Sequence, residues 1–470
     1  MISTSLQPGP VRAACERRRR WGFGLTPRAI GLLTAGFLLL IPGFYVARFS
    51  YAMLVWDGLL LAATLLDGLR LPRPAQLIAE RSWGNAPALD SETEIELTIE
   101  NNGRVIVDCR LTDDLPTALV AQPATHRLTA FPRVAAKLRY RVDPQERGDC
   151  ETGWLFVRYR SPLGLAERWA KANLKQTVRV YPALRTTEEQ QIFLARSRQI
   201  DLQLRQARQR GLGRDFESLR DYREGDDLRD VCWTATARRG ALITRQYQTE
   251  RSQPVWIVLD CGRLMRSRHL RGSGTSGTQQ ERGHSKLDYA CSTAVALAQL
   301  ALYSGDRVGL LAYGQSIQQR LLPGRGAAHL RQLIELLAQL KAESSEADHL
   351  RATAVLNRLQ PRRSLILWVT DLAETAMRPE VIDGAAQLLR RHVLLFVAMA
   401  QPEVDAIAKA RPKTVDQMFR SAAAQEMAGR REILLARLHE QGALTLDLDP
   451  EALTPSVLNQ YLMVKERAMV

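Results

Sequence analysis

Asp260 closes the apolar run VWIVL at residues 255–259, and Asp371 closes SLILWVTD at residues 364–371. In open parallel sheets, ligands collect outside the carboxyl ends of the strands, so two carboxylates at such ends offer oxygen ligands to a hard cation or partners to a basic side chain. Cys261 adds a thiol on the same loop. A thiol becomes a nucleophile when its pKa falls, yet the adjacent carboxylate raises it, which favours a small buried residue beneath the loop. The six cysteines, Cys15, Cys109, Cys150, Cys232, Cys261 and Cys291, form no CxxC pair and no metal-ligand spacing, so free thiols in a reducing cytoplasm are expected.

Upstream, residues 211–245 read GLGRDFESLRDYREGDDLRDVCWTATARRGALITR. Single apolar or aromatic residues, Phe216, Leu219, Tyr222, Leu228, Val231 and Trp233, interrupt mixed charge, so the segment should fold against something while keeping a polar face. The pattern F-x-x-L-R-x-Y-x-x-G-D-D-x-R-x-x-x-W-x-x-x-A-R, which runs from Phe216 through Gly225, Asp226 and Arg229 to Arg238, closely resembles the hallmark of the bacterial family called domain of unknown function 58. The resemblance implies a membrane-tethered protein, a von Willebrand factor type A-like domain after the signature, and a MoxR-type AAA+ ATPase as partner. It also implies that Asp260 and Asp371 match the first and last metal-ligating motifs of von Willebrand type A domains, which hold Mg²⁺ through carboxylate and hydroxyl oxygens. Here Asp260-Cys261-Gly262-Arg263-Leu264 lacks both serine hydroxyls, and the loop expected to carry the middle threonine reads Pro323-Gly324-Arg325-Gly326-Ala327. Asp260, Gly262, Leu264 and Asp371 therefore mark a degenerate metal site, with no cofactor expected and Mg²⁺ as the alternative. A guanidinium from Arg263 or Arg325 is expected to supply the positive charge instead.

For the signature two readings stand. Arg220, Arg223, Arg229 and Arg238 with Glu217, Asp226, Asp227 and Asp230 form a docking surface anchored by Tyr222 and Trp233, or the same residues clamp neighbouring domains together.

These residues need a scaffold, and the pattern supplies one. From residue 254 onward strands and helices alternate, which predicts a mostly parallel, doubly wound α/β sheet over residues 251–470 with a C-terminal helical extension. Residues 75–184 instead carry short alternating segments with Pro- and Gly-bearing turns, including Asn101-Asn102-Gly103 as a hairpin turn. This reads as a small antiparallel β-sandwich, and RSPLGL at residues 160–165 and VYP at residues 180–182 match the family's immunoglobulin-like module. Between them, residues 185–250 hold a polar, Arg-rich helical linker and the signature. The Gly-rich run at residues 271–285 lacks a phosphate-loop pattern and reads as a flexible insertion.

Residues 30–47 and 51–66 are apolar runs near the length that crosses a bilayer, separated by Arg48, Phe49 and Ser50. They read as a transmembrane helical hairpin over residues 29–69 after a basic cytoplasmic tail, residues 1–28. The arginines at 17–20, 70 and 73 put both ends in the cytoplasm of a bacterial inner membrane. Asp57 lies inside the second run, where pairing with Arg48 or protonation would relieve it. The formal charge of +15 is spread along the chain and interleaved with acids, which argues against a nucleic-acid partner. The reading that emerges is a non-enzymatic adaptor that binds a protein partner. Its rivals are a Mg²⁺-dependent protein-binding domain and a thiol enzyme using Cys261, the latter without any Ser-His-Asp set, zinc cluster or Walker loop.

Overall fold

The computed structural model describes residues 6–18, 24–39, 41, 47–123, 125–183, 192–193, 195–197, 215–223, 231–248, 253–270, 283–372 and 380–467. The chain divides into two compact units, Met1–Ala183 and Leu184–Val470.

The first unit begins with strand β1 (Val11–Arg17), β2 (Gly24–Leu25) and two apolar helices, α1 (Pro27–Gly36) and α2 (Ala47–Arg70). It continues as β3 (Leu77–Trp83), β4 (Thr93–Asn101), β5 (Val107–Asp113), β6 (Leu119–Gln122), β7 (His126–Ala130), β8 (Ala135–Pro144), β9 (Gly148–Thr152), β10 (Leu155–Arg160), β11 (Ala166–Ala172) and β12 (Gln176–Val180). All but β9 and β12 join one curled antiparallel sheet in the order β6-β8-β4-β3-β1-β11-β10-β5-β7, with β2 on β11. The stretch read as a basic tail therefore contains a strand. Its first half, Val11–Ala14, pairs with β3 and its second half, Cys15–Arg17, with β11, so β1 carries the curl from one half of the sheet to the other. The physical reason lies in VRAACER, whose alternation turns Val11, Ala13 and Cys15 into the core between outward charges.

A second correction concerns Asn101-Asn102-Gly103. The strands on either side of it do not pair: β4 bonds β3 and β8, and β5 bonds β10 and β7. The Asn101 side chain accepts from the Gly103 amide at 2.9 Å and donates to the Val105 and Ala130 carbonyls at 2.9 and 3.2 Å. It thus turns the chain from the half of the sheet that holds β4 to the half that holds β5, since turn chemistry alone does not set which strands pair.

Of the two apolar runs, residues 51–70 form a helix long and apolar enough to cross a membrane, while the described residues of the first run include the ten-residue α1 and a short 3₁₀ turn. The helices pack together: the Trp56 indole donates to the Leu32 carbonyl at 3.2 Å, and a Cβ on Gly36 would lie 2.6 Å from Asp57 Oδ1. That carboxylate oxygen is buried without a hydrogen-bond partner, and the Arg48 side chain lies outside the described residues. Both helices are fixed to the loop at residues 161–166. Thr26 caps α1 and bonds Gly164 and Leu165, while Asp67 near the end of α2 accepts from Ser161 Oγ at 2.6 Å and from the Leu165 and Ala166 amides at 3.2 and 3.0 Å.

The second unit holds β13 (Asp215–Asp221), α3 (Trp233–Arg239) and β14 (Ile243–Gln248), then β15 (Pro254–Asp260), β16 (Arg268–Leu270), β17 (Gly283–Ser285), α4 (Lys286–Tyr303), β18 (Arg307–Tyr313), β19 (Ile317–Gly324), α5 (Gly326–Gln339) and α6 (His349–Leu359). It ends with β20 (Leu365–Thr370), α7 (Glu380–Leu389), β21 (Val393–Met399), α8 (Pro402–Lys409), α9 (Val415–Glu440), β22 (Leu444–Leu448) and α10 (Leu453–Glu466). Six strands form a sheet in the order β19-β18-β15-β20-β21-β22, parallel except for the antiparallel β19 edge. Strands β15, β20 and β21 are buried along their whole length, as continuous apolar runs require when both faces are covered. Trp256, Ile366, Trp368 and Phe396 pack on one face with side chains from α6, α7 and α9. The linker helix read over residues 186–210 lies outside the described residues except at 192–193 and 195–197, which are helical, and residues 271–282 of the Gly-rich run lie wholly outside them.

Candidate functional site

Parallel register brings the carboxyl ends of three strands level. Asp260 of β15 pairs with Tyr313 of β18, and Leu259 with Val369 of β20, so Asp260, Tyr313, Thr370 and Asp371 meet at one edge. The Asp260 carboxylate accepts from the Gly262 amide at 2.7 Å and from Thr370 Oγ1 at 2.6 Å. Gly262 suits this close approach, because a Cβ would stand a tight 3.0 Å from both the Ala347 nitrogen and Asp260 Oδ1. Asp260, Gly262, Leu264 and Asp371 line one small cavity of about 20 Å³ with Arg263, Glu346, Ala347 and His349. That is room for a single water-sized species.

The third loop at this edge is residues 340–348, not 323–327. Strand β19 runs antiparallel to β18 and places Gly324 beside Val308, at the opposite end of the sheet, so Arg325 starts α5 away from both aspartates. Helix α5 then returns the chain to the carboxyl edge. There the Glu343 amide donates to the Cys261 carbonyl at 2.7 Å, the Arg263 amide to Ser345 O at 2.9 Å, and the Asp348 amide to Gly314 O at 2.9 Å. Glu343 fixes this loop by accepting from the Gln315 amide at 2.8 Å, Gln318 Nε2 at 2.9 Å and Ser345 Oγ at 3.2 Å.

The positive charge on Asp371 comes from Lys286 and Arg431. The Lys286 ammonium donates to Asp371 Oδ2 at 2.6 Å, both side chains being buried, and Gln401 Nε2 donates to the same oxygen at 3.0 Å. Arg431 of α9 holds Asp447 of β22 with two bonds and reaches Asp371 Oδ1 at 3.5 Å. Lys286 occupies the first turn of α4, where a cation opposes the helix dipole, so its place depends on the carboxylate it meets. Sequence reasoning missed it, although Ser285 and Asp288 form a capping box that fixes the helix start and thus aims residue 286 at the sheet edge.

Every oxygen of the two aspartates already faces a protein donor, and an ammonium stands where an ion's charge would act. The donor set therefore does not suit a hard divalent cation, which needs about six oxygen ligands. Among the described residues no group of three or more His, Cys, Asp or Glu side chains has the proximity to hold a metal. Cys261 is fully buried, its sulfur 4.0 Å from the Leu259 carbonyl.

Beneath the cavity runs a polar chain: Trp368 Nε1 donates to Tyr313 OH at 2.7 Å, and that hydroxyl meets His349 Nδ1 at 2.9 Å. Burial pushes the His349 pKa down to about 4, which leaves the ring neutral near pH 7, and its tautomer sets the direction of the bond to Tyr313. Burial pushes Asp260 up to about 6, opposed by the bonds from Thr370 and Gly262 and reinforced by Asp371 and Glu343.

The signature forms a two-stranded ribbon of β13 and β14 with α3 between them. Val231, Cys232, Ile243 and Thr244 turn inward, with Val231 bridged to Thr244 and the Cys232 amide bonded to Ile243 O at 2.8 Å. Helix α3 ends on Gly240 in the left-handed region, φ 69°, as a C-terminal cap requires. Trp233 and Leu219, by contrast, are 65% and 42% exposed. Arg220 sits in β13 and Arg238 in the last turn of α3, while Tyr222 follows β13 with its amide on Leu242 O at 2.9 Å. Phe216 belongs to β13 with its side chain outside the described residues, where Gly225, Asp226 and Arg229 also lie.

Residues 218–416 match the sequence profile of the family described as "Protein of unknown function DUF58". Over 196 residues the chain is 24% identical to uncharacterized protein Rv1480 of Mycobacterium tuberculosis and to uncharacterized protein Mb1516 of Mycobacterium bovis, covering 41% of this chain and 56% of each relative. The chain thus matches little more than half the length of these curated relatives. Among solved structures it is similar to the conserved hypothetical protein BatB from Bacteroides thetaiotaomicron, at 12% identity over 46% of this chain and 100% of that one, with a TM-score of 0.28. It is also similar to von Willebrand factor type A from Catenulispora acidiphila, at 12% identity over 48% of this chain and 44% of that one, with a TM-score of 0.26.

Proposed function

We propose that this protein is a membrane-anchored, non-enzymatic adaptor that binds a protein partner through its signature segment and its α/β unit. The observation that carries the reading is Trp233, a large aromatic that is 65% exposed in a segment of mixed charge. An exposed tryptophan in such a segment has the character of an interface anchor. The resemblance to domain of unknown function 58 points to a MoxR-type AAA+ ATPase as that partner.

Anchoring in a bacterial inner membrane is supported by α2 and by the sheet around it. Strand β1 precedes the apolar helices and β3 follows them, yet the two are hydrogen-bonded neighbours. The chain must leave and return on one side, which agrees with a hairpin whose flanking segments face the cytoplasm. Binding is proposed to be independent of metal, because Lys286 supplies at Asp371 the charge that an ion would bring.

The test is crosslinking of the full chain in membranes followed by mass spectrometry, with and without EDTA. Wild type is expected to recover the same partner in both conditions, and Trp233→Ala and Arg220→Glu to lose it. Recovery that vanishes with EDTA would favour the Mg²⁺-dependent reading, and recovery untouched by both substitutions would remove the signature from the interface.

A further inference from the structure

The first unit has a cavity of about 260 Å³ between the start of α1 and the outer face of β5, β10 and β11. Four arginines line it, Arg28, Arg110, Arg158 and Arg160, against two carboxylates, Asp108 and Glu167, which leaves a surplus of two positive charges. The carboxylates are already engaged: Arg158 pairs with Glu167 and Arg160 with Asp108, each at 2.7 Å. Among the described residues neither Arg28 nor Arg110 has an ion-pair partner.

Two features of this arrangement are unfavourable as they stand. Arg110 lies directly opposite Arg158 in the β5–β10 register, where like charges repel. Arg28 sits in the first turn of α1, where the helix dipole favours an anion and opposes a cation. A single anion in the cavity relieves both, and arginine forks suit the oxygens of a phosphate.

The cavity's position selects the source of that phosphate. Thr26 at the start of α1 and Asp67 near the end of α2 are both bonded to the loop at residues 161–166, so the cavity lies at the base of the apolar pair. We propose that it binds the phosphate of an anionic phospholipid headgroup where the helices enter the bilayer. The assignment of a lipid rests on the membrane reading given above.

The test uses the full chain in detergent, with native mass spectrometry of retained phosphatidylglycerol against phosphatidylcholine, and a parallel titration with inorganic phosphate. Wild type should retain phosphatidylglycerol preferentially, and Arg28→Gln with Arg110→Gln should weaken that retention by about 30-fold, since each basic residue near an anionic surface contributes several-fold. Circular dichroism checks the fold of the double variant. If that variant misfolds, Arg28→Gln alone decides, with an expected loss of about fivefold. Undiminished retention in the variants overturns the site. Phosphate binding by wild type without preference for the anionic lipid overturns the lipid assignment. Release of the chain from membranes by carbonate overturns the membrane reading separately, because the phosphate titration still reports on the cavity.

Discussion

Among the described residues two ion pairs have both side chains buried, and they are built on opposite principles. In the first unit Arg81 points into the core from β3, and its guanidinium forks onto Asp113 while also donating to Thr152 Oγ1 and the Leu174 carbonyl, each at 2.8 Å. Tyr140 OH completes Asp113 at 2.5 Å. In the second unit Lys286 meets Asp371 at a strand end, beside a cavity, with Asp260 pushed towards neutrality next to it. A planar fork with fixed donors closes a core, whereas a single ammonium on a flexible stem leaves a polar edge that other charges adjust. The contrast separates a pair that holds a fold from one that sets the charge of a site.

The largest test is on the closed pair. Arg81→Met leaves Asp113 buried and unpaired, and is expected to remove about 3–5 kcal/mol from the first unit, read by hydrogen exchange of the β3 and β5 amides. A small effect would place both pairs in one class.

The open edge should instead reveal itself through pH. Asp260 has a raised pKa, so the stability it contributes is present below its unfolded value near 3.8 and is lost as pH rises through about 6. His349 has a depressed pKa, so its contribution is present above 6.5 and is lost as pH falls through about 4. The two slopes oppose each other between pH 4 and 6. Relative to wild type, Asp260→Asn should gain on the order of 3 kcal/mol as pH rises across that window, and His349→Gln should gain a similar amount as pH falls. Denaturant melts at several pH values measure both, and a pH-independent difference for either variant would contradict the burial that shifts it.

Lys286→Met tests whether the ammonium replaces an ion. Asp371 keeps Gln401 and the more distant Arg431, so a loss of about 1–3 kcal/mol is expected, less than for Arg81. Mg²⁺ should leave the melting temperature of wild type unchanged. A saturable Mg²⁺ effect in wild type that is lost in Asp260→Ala would break the comparison. The smallest effect belongs to Trp233→Ala, expected to change stability by no more than about 0.5 kcal/mol in denaturant melts because the ring is exposed.

Much of the second unit is legible because its strands are short, continuous apolar runs between helices. Residues 254–260, 307–313, 364–371 and 392–399 announce themselves, and so do the aspartates at two of their ends. Strand β19 is not legible, since IQQRLLPG has neither an apolar run nor clean alternation, and missing it displaced Arg325 to the wrong edge. Strand β1 was hidden among arginines, although its alternation was present in VRAACER. The Asn-Asn-Gly turn misled because local turn chemistry does not say which strands will pair.

Strand period and hydropathy are local properties of the chain, and they suffice to place two carboxylates at the ends of strands and to set two apolar runs apart from the charged remainder. Which cation meets Asp371 depends on long-range packing. Lys286 and Arg431 lie 85 and 60 residues from it along the chain, and parallel register with helix packing, neither visible locally, brings them to one carboxylate.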